Sequence, residues 1–173
     1  MEMTEASLQA VAQAVAHLAD PEIPVISLSE LGILREIRVG ADGTPEVVIT
    51  PTYSGCPAMG QIEDDIVAAL RAAGLRGRVV TQLSPAWTTD WMSEAAKEKL
   101  RAYGIAPPQC GSQPASQAGV LQFSRHAAKP VDVPCPQCGS HHTTQTAPFG
   151  STACKALYRC LDCLEPFDYF KPY

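Results

Sequence analysis

Histidine, aromatic residues and excess basic charge are scarce in this chain, and long apolar runs are missing altogether. No stretch approaches the roughly 18 consecutive apolar residues of a membrane-spanning helix, so no membrane anchor is expected. Thirteen Lys and Arg stand against 18 Asp and Glu, a net charge of −5. Nucleic-acid affinity rests on neutralising phosphates, so this balance argues against a nucleic-acid partner. The lack of a Lys/Arg cluster argues against a membrane surface in the same way. The opening MEMTEASLQA has no basic segment ahead of an apolar one and does not read as a secretory signal, which points to the cytoplasm. Only one of the four histidines, His17, lies ahead of residue 107. No Cys-His arrangement for nucleophilic catalysis can therefore be assembled from local sequence. Neither G-x-G-x-x-G nor Glu-x-x-His occurs, so the dinucleotide fingerprint and the di-iron ligand pattern of bundle oxygenases are both missing. The chain does not read as an enzyme.

What is present suffices for a core. Hydrophobic residues make up 46% of 173 and charged residues 18%, far from a disordered profile. Leu8, Val11, Val15 and Leu18 recur at helical spacing behind Thr4 as a candidate N-cap, and Asp20-Pro21 stops that helix. A turn-rich connector follows, with a short helical turn around Leu28 to Leu31. LREIRV (34–39) and EVVITP (46–51) read as strands joined by the turn residues GADGTP. Met59, Ile62, Ile66, Leu70 and Ala73 line a second helix that ends at Gly74. RVVTQL (78–83) is a third strand and DWMSEAAKEKLRAY (90–103) a third helix. The expectation is an α+β fold, a small mixed sheet with helices packed on it, over residues 1–106. A linker rich in Pro, Gly, Ser and Gln spans 107–130, with VLQF (120–123) as its one strand-like run and Cys110 without an assigned role. Residues 131–173 form a small β-rich module.

That module carries two Cys-x-x-Cys pairs, Cys135/Cys138 and Cys160/Cys163. Each pair can place two thiolates on one metal, and together they complete a tetrahedral S₄ shell. Zinc is the expected metal, and a mononuclear iron centre follows the same ligand logic. A segment this short buries too little apolar surface to fold alone, so the metal supplies much of its folding energy. Four protein ligands close the site, which makes it structural. His141 and His142 read as exposed strand residues. Cys154 reads either as a small buried strand residue or as an extra thiol that handles metal.

Cys56, in TYSGCPAMG, stands apart from the other cysteines. Pro57 suits the first position of a helix, which would make Cys56 its N-cap, with the amides of Ala58 and Met59 aimed at the sulfur. Such a position lowers a thiol's pKa and suits a reactive or metal-binding thiolate. A buried, inert cysteine is the alternative. With no base in view, a ligand fits better than a nucleophile. Glu63, Asp64 and Asp65 read as a solvated helix face.

DPEIP (20–24), ELGIL (30–34) and TYSGCPAM (52–59) resemble the domain shared by SufT-type and cytosolic iron–sulfur assembly factors. CPQCGS, FGSTACKALYRC, EPFDYFKP and AYGIAPP (102–108) look like the PaaD/PaaJ family of bacterial phenylacetyl-CoA epoxidase systems. The resemblance implies an accessory maturation factor in phenylacetate degradation. In it, Cys56 would be a transient ligand for iron or an iron–sulfur cluster, with Asp20 and Glu22 beside it. Taken alone, Asp20 and Glu22 are equally well explained as cap or turn residues. The implied partners are the di-iron oxygenase subunit or the iron–sulfur reductase subunit, with Phe167, Tyr169 and Phe170 either as contact area or as ribbon core. An exposed sheet edge would also suit a homodimer. The alternative function is a purely structural component of the complex.

Overall fold

The computed structural model describes residues 5–109 and 132–173. Thr4, Cys110, VLQF and most of the 107–130 segment lie outside them. Helix α1 (Glu5–Val15) buries Val11 and Val15 and packs on α3 (Met59–Ala72), whose Ile62, Ile66 and Leu70 form the facing stripe. Beside them runs a sheet of β1 (Leu34–Val39), β2 (Pro45–Ile49) and β3 (Arg78–Thr81) in that spatial order. β1 and β2 form an antiparallel hairpin, whereas β2 and β3 are parallel, joined by the crossover through α3. β2 is the central strand and is buried at every residue. Its one charge, Glu46, takes Arg38 of β1 at 2.8 Å and Arg78 of β3, so a single carboxylate ties three strands. The architecture is α+β, as the alternation of patterns predicts.

The ELGIL segment has a physical explanation. Helix α2 (Leu28–Leu31) starts in a capping box: Ser27 Oγ accepts from the Glu30 amide and the Glu30 carboxylate accepts from the Ser27 amide. Gly32 ends the helix at φ 78, and a Cβ there would come within 2.7 Å of the Trp91 carbonyl oxygen. Only glycine fits on both counts. Glu30 also pairs with Lys99 of α4 (Glu94–Ala102) at 2.7 Å. The third helix is shorter than expected. Met92 and Ser93 are extended, so 89–91 forms a separate 3₁₀ turn, and Ser93 Oγ caps α4 by accepting from Ala96 N.

The C-terminal segment does not hang apart. β5 (Thr143–Ala147), β6 (Lys155–Cys160) and β7 (Pro166–Phe170) form an antiparallel ribbon. β4 (Ile105–Ala106), which follows α4, adds to its edge in parallel with β7. Side chains alternate across a strand, and β7 uses both faces. Phe167 and Tyr169 join Val133, Tyr158 and the cysteines Cys135 and Cys160 in a small ribbon core. Phe170 enters the main core with Val11, Ile62 and Leu100. Trp87 meets Phe170 at a centroid distance of 6.0 Å and donates from its indole nitrogen to the Leu31 carbonyl. All three β7 aromatics are buried, so none provides an outer contact surface.

Because Phe170 belongs to the main core, Phe170→Ala should cost about 3–5 kcal/mol. It should lower one cooperative transition seen equally by Trp fluorescence and by ribbon amide exchange. Two separable transitions, with only the ribbon's affected, would contradict a shared core.

Candidate functional site

In the ribbon, the sulfurs of Cys135, Cys138, Cys160 and Cys163 all lie within 4.8 Å of one another. Cys135 and Cys163 are 3.7 Å apart and Cys138 and Cys160 3.6 Å. Tetrahedral coordination at a metal–sulfur bond of about 2.3 Å requires sulfur separations of about 3.8 Å, so the shell has the right size for one ion. Each knuckle closes with a residue in the left-handed region: Gly139 at φ 74 and, against the usual steric preference, Leu164 at φ 66. The first turn is pinned by Gly139 N donating to the Cys135 carbonyl, and the second by Cys163 N donating to Cys160 Sγ at 3.5 Å. That amide is the main reason the pKa of the Cys160 thiol falls to about 6. The Glu165 amide favours the Cys163 thiolate too, but burial and the three neighbouring sulfurs outweigh it and push this thiol up to about 12. A cation in the shell removes that mutual repulsion.

His141 and His142 take no part in the shell. Both are exposed, bonded to Asp132 and Asp162 respectively, and they precede β5 rather than lying in a strand.

The second cluster is built from both halves of the chain. A cavity of about 20 Å³ is lined by Asp20, Glu22, Thr52, Cys56, Thr152 and Cys154, with Ile23, Leu31, Ile33 and Phe170 as its apolar walls. Thr52 also borders an open cleft of about 250 Å³ beside Tyr53, Trp87 and Tyr173. Asp20 is 5% exposed, and its Oδ1 accepts from the amides of Glu22 (2.8 Å) and Ile23 (3.0 Å). The turn role is therefore real, and the same carboxyl faces the cavity. Burial raises its pKa despite those two bonds. Glu22 is exposed at the rim.

Cys56 departs from expectation. Helix α3 begins at Met59 with Ala58 as its cap, and the Met59 amide donates to the Cys56 carbonyl at 3.4 Å rather than to its sulfur. Burial, foremost, pushes the thiol above its ordinary value, against the Ala58 amide, which favours the thiolate, and the negative charges of Asp20, Cys154 and Glu22 add to the rise. The helix start does not lower this thiol's pKa, because the sulfur is half-buried beside carboxylates and a second thiol. Cys154 lies in the turn before β6, not on a strand, and is buried in the main core. Its thiol meets Thr152 Oγ1 at 3.0 Å and is likewise pushed up, chiefly by burial. Lys155, 5% exposed and 3.7 Å from Asp168, acts electrostatically on both Asp20 and Cys154 in the opposite sense. The sequence offers no link between positions 56 and 154, since their meeting depends on how the ribbon docks.

A raised pKa means little thiolate at neutral pH. Alkylation of Cys56 in the metal-loaded protein, followed by peptide mass spectrometry, should be slow at pH 7 and still climbing above the ordinary thiol value of 9.0. A plateau by pH 7.5 would contradict this placement.

Comparisons with known proteins match two separate stretches of the chain. Residues 8–83 match the model for "Iron-sulfur cluster assembly protein" and 122–171 the model for "PaaD zinc beta ribbon domain". The chain is 49% identical over 91% of its length, and 88% of the relative's, to the Escherichia coli (strain K12) protein named as the D component of "Putative 1,2-phenylacetyl-CoA epoxidase". A "Fe-S protein maturation auxiliary factor" of Porphyromonas gingivalis (strain ATCC BAA-308 / W83) is 37% identical over 47% of this chain and 78% of its own. The Bacillus subtilis (strain 168) "Fe-S protein maturation auxiliary factor YitW" is 32% identical over 57% of this chain and 97% of its own. Both align to about half of this chain, so the four-cysteine ribbon is an addition to a domain that also occurs without it. This chain belongs to the PaaD family of phenylacetyl-CoA epoxidase components, in which an iron–sulfur assembly domain carries a zinc ribbon.

Proposed function

We propose that the protein is an accessory maturation factor for a phenylacetyl-CoA epoxidase, helping to deliver iron or an iron–sulfur cluster to the di-iron oxygenase subunit or the iron–sulfur reductase subunit in the cytoplasm. The observation that carries this reading is Cys56, a thiol at a cavity bounded by Asp20 and Glu22 with no histidine in its lining. A thiol among carboxylates, without a base, is poorly suited to attack a substrate and well suited to hold a soft cation for a time. Its raised pKa makes the ligand reversible, because metal must displace a proton to bind and protonation helps release it.

Zinc is the resident metal of the ribbon, held by Cys135, Cys138, Cys160 and Cys163. Zinc accepts four thiolates without redox chemistry, and the closed shell leaves no position for a substrate. Its contribution is to folding. Removing it with a chelator should unfold the ribbon, read as loss of amide-exchange protection in β5–β7.

The test is metal content. The wild type and Cys56→Ala, purified anaerobically, should each hold about one zinc per chain. After incubation with ferrous iron and sulfide, only the wild type should retain iron through desalting. Equal iron in both, or none in the wild type, would favour a purely structural component of the complex. That role is consistent with the partial burial of Cys56 against the main core.

A further inference from the structure

We propose that the open cleft beside Tyr53, Trp87 and Tyr173 binds a single uncharged aromatic ring carrying a hydrogen-bonding group such as a phenolic hydroxyl. The cleft adjoins the Cys56 cavity and shares Thr52 with it, but the proposal stands whether or not Cys56 carries metal.

The aromatic walls come from both halves of the chain. Trp87 follows β3 and Tyr173 follows β7, and their rings meet near-perpendicularly, with centroids 6.3 Å apart and an interplanar angle of 69°. A corner of two rings suits a third flat ring, which can stack on one and meet the other edge-on. The polar atoms of both walls are already used. Trp87 Nε1 donates to the Leu31 carbonyl at 3.1 Å, and Tyr173 Oη donates to the Ala153 carbonyl at 3.2 Å. The two side chains are thereby held in place and offer the cleft apolar surface. Tyr173 is 44% exposed and Leu83 57%, so large apolar groups at this opening lack cover.

Polar recognition falls to Thr50. This residue lines the cleft and is 1% exposed, yet its Oγ1 has no hydrogen-bond partner among the described residues. Its amide donates to the Ile33 carbonyl at 2.9 Å, which anchors the residue at the end of β2. Buried hydroxyls are nearly always paired, because one left unpaired keeps its full desolvation cost. A threonine hydroxyl both donates and accepts, as a phenol does. No charged side chain lines the cleft, so a carboxylate or phosphate would lose its hydration without compensation. Its volume of about 250 Å³ lies below the roughly 300–1,000 Å³ of sites for drug-sized ligands, which limits the occupant to one ring with short substituents. Such a ring is carried by a free small molecule or by a tyrosine side chain, and the experiment separates the two.

The probe is p-cresol, added to full-length protein whose ribbon holds zinc and followed by amide and indole NMR. The wild type should show saturable shifts at Thr50, Tyr53 and the Trp87 indole N–H, with the Trp91 indole unmoved. The dissociation constant should be about a millimolar or below. Toluene, which lacks the hydroxyl, should bind at least about fivefold more weakly, and benzoate should not bind. Thr50→Val, which keeps the shape and removes the hydroxyl, should abolish the preference for p-cresol over toluene. N-acetyl-tyrosinamide binding more tightly than p-cresol would place the ring on a partner protein; weaker binding would make the occupant a free ligand. No saturable shifts with p-cresol, benzoate bound as well as p-cresol, or a full preference retained in Thr50→Val would each overturn the proposal. Should Thr50→Val fail to fold, the wild type decides: toluene bound as tightly as p-cresol overturns the role of Thr50.

Discussion

The packing of β7 is the constraint on which the rest of the molecule depends. One face of this strand fills the ribbon core with Phe167 and Tyr169, and the other sends Phe170 into the core of the assembly domain. β7 is also hydrogen-bonded on both edges, to β6 of the ribbon and to β4 at the end of the first segment. A strand placed this way cannot shift register by one residue without exchanging its two faces. The docking is therefore specific, and it fixes where the turn before β6 must lie. That turn carries Thr152 and Cys154 to the cavity beside Cys56.

Two cysteine sites with opposite electrostatics result. In the ribbon, four sulfurs sit at tetrahedral spacing with backbone amides aimed at them, an arrangement that wants a permanent cation. In the cavity, burial pushes both thiols and the Asp20 carboxyl above their ordinary values and so favours their protonated forms. The closed four-sulfur centre suits a structural role.

Much of this is legible in the sequence, for identifiable reasons. The Cys-x-x-Cys pairs are local, so the S₄ shell follows from spacing alone, and the α3 stripe Ile62, Ile66, Leu70 follows from helical period. The short helical turn at Leu28–Leu31 is legible too, whereas the need for glycine at position 32 also depends on the approach of Trp91. Sequence and structure part where tertiary burial overrides local pattern. Pro57 suggests that Cys56 caps α3, but the helix starts at Met59 and the sulfur sits among the carboxylates instead. Phe167, Tyr169 and Phe170 give no sign of which core each enters, because alternation tells faces apart without saying what covers them. The meeting of residues 56 and 154 is out of reach entirely, since it depends on a strand pairing between β4 and β7 that no local pattern announces.

The central claim is that the metal-stabilised ribbon completes the pocket of the assembly domain, and one measurement tests it most directly. The alkylation rate of Cys56 can be followed by peptide mass spectrometry at fixed neutral pH, with the ribbon metal present and after its removal by a chelator. Loss of the metal should release β7 and the turn at 151–154, withdraw Cys154 and Phe170 from around Cys56, and return its thiol towards the ordinary value. The account predicts a rate at least about tenfold higher without the metal. An unchanged rate would mean that the ribbon and the Cys56 pocket are independent, and would contradict it.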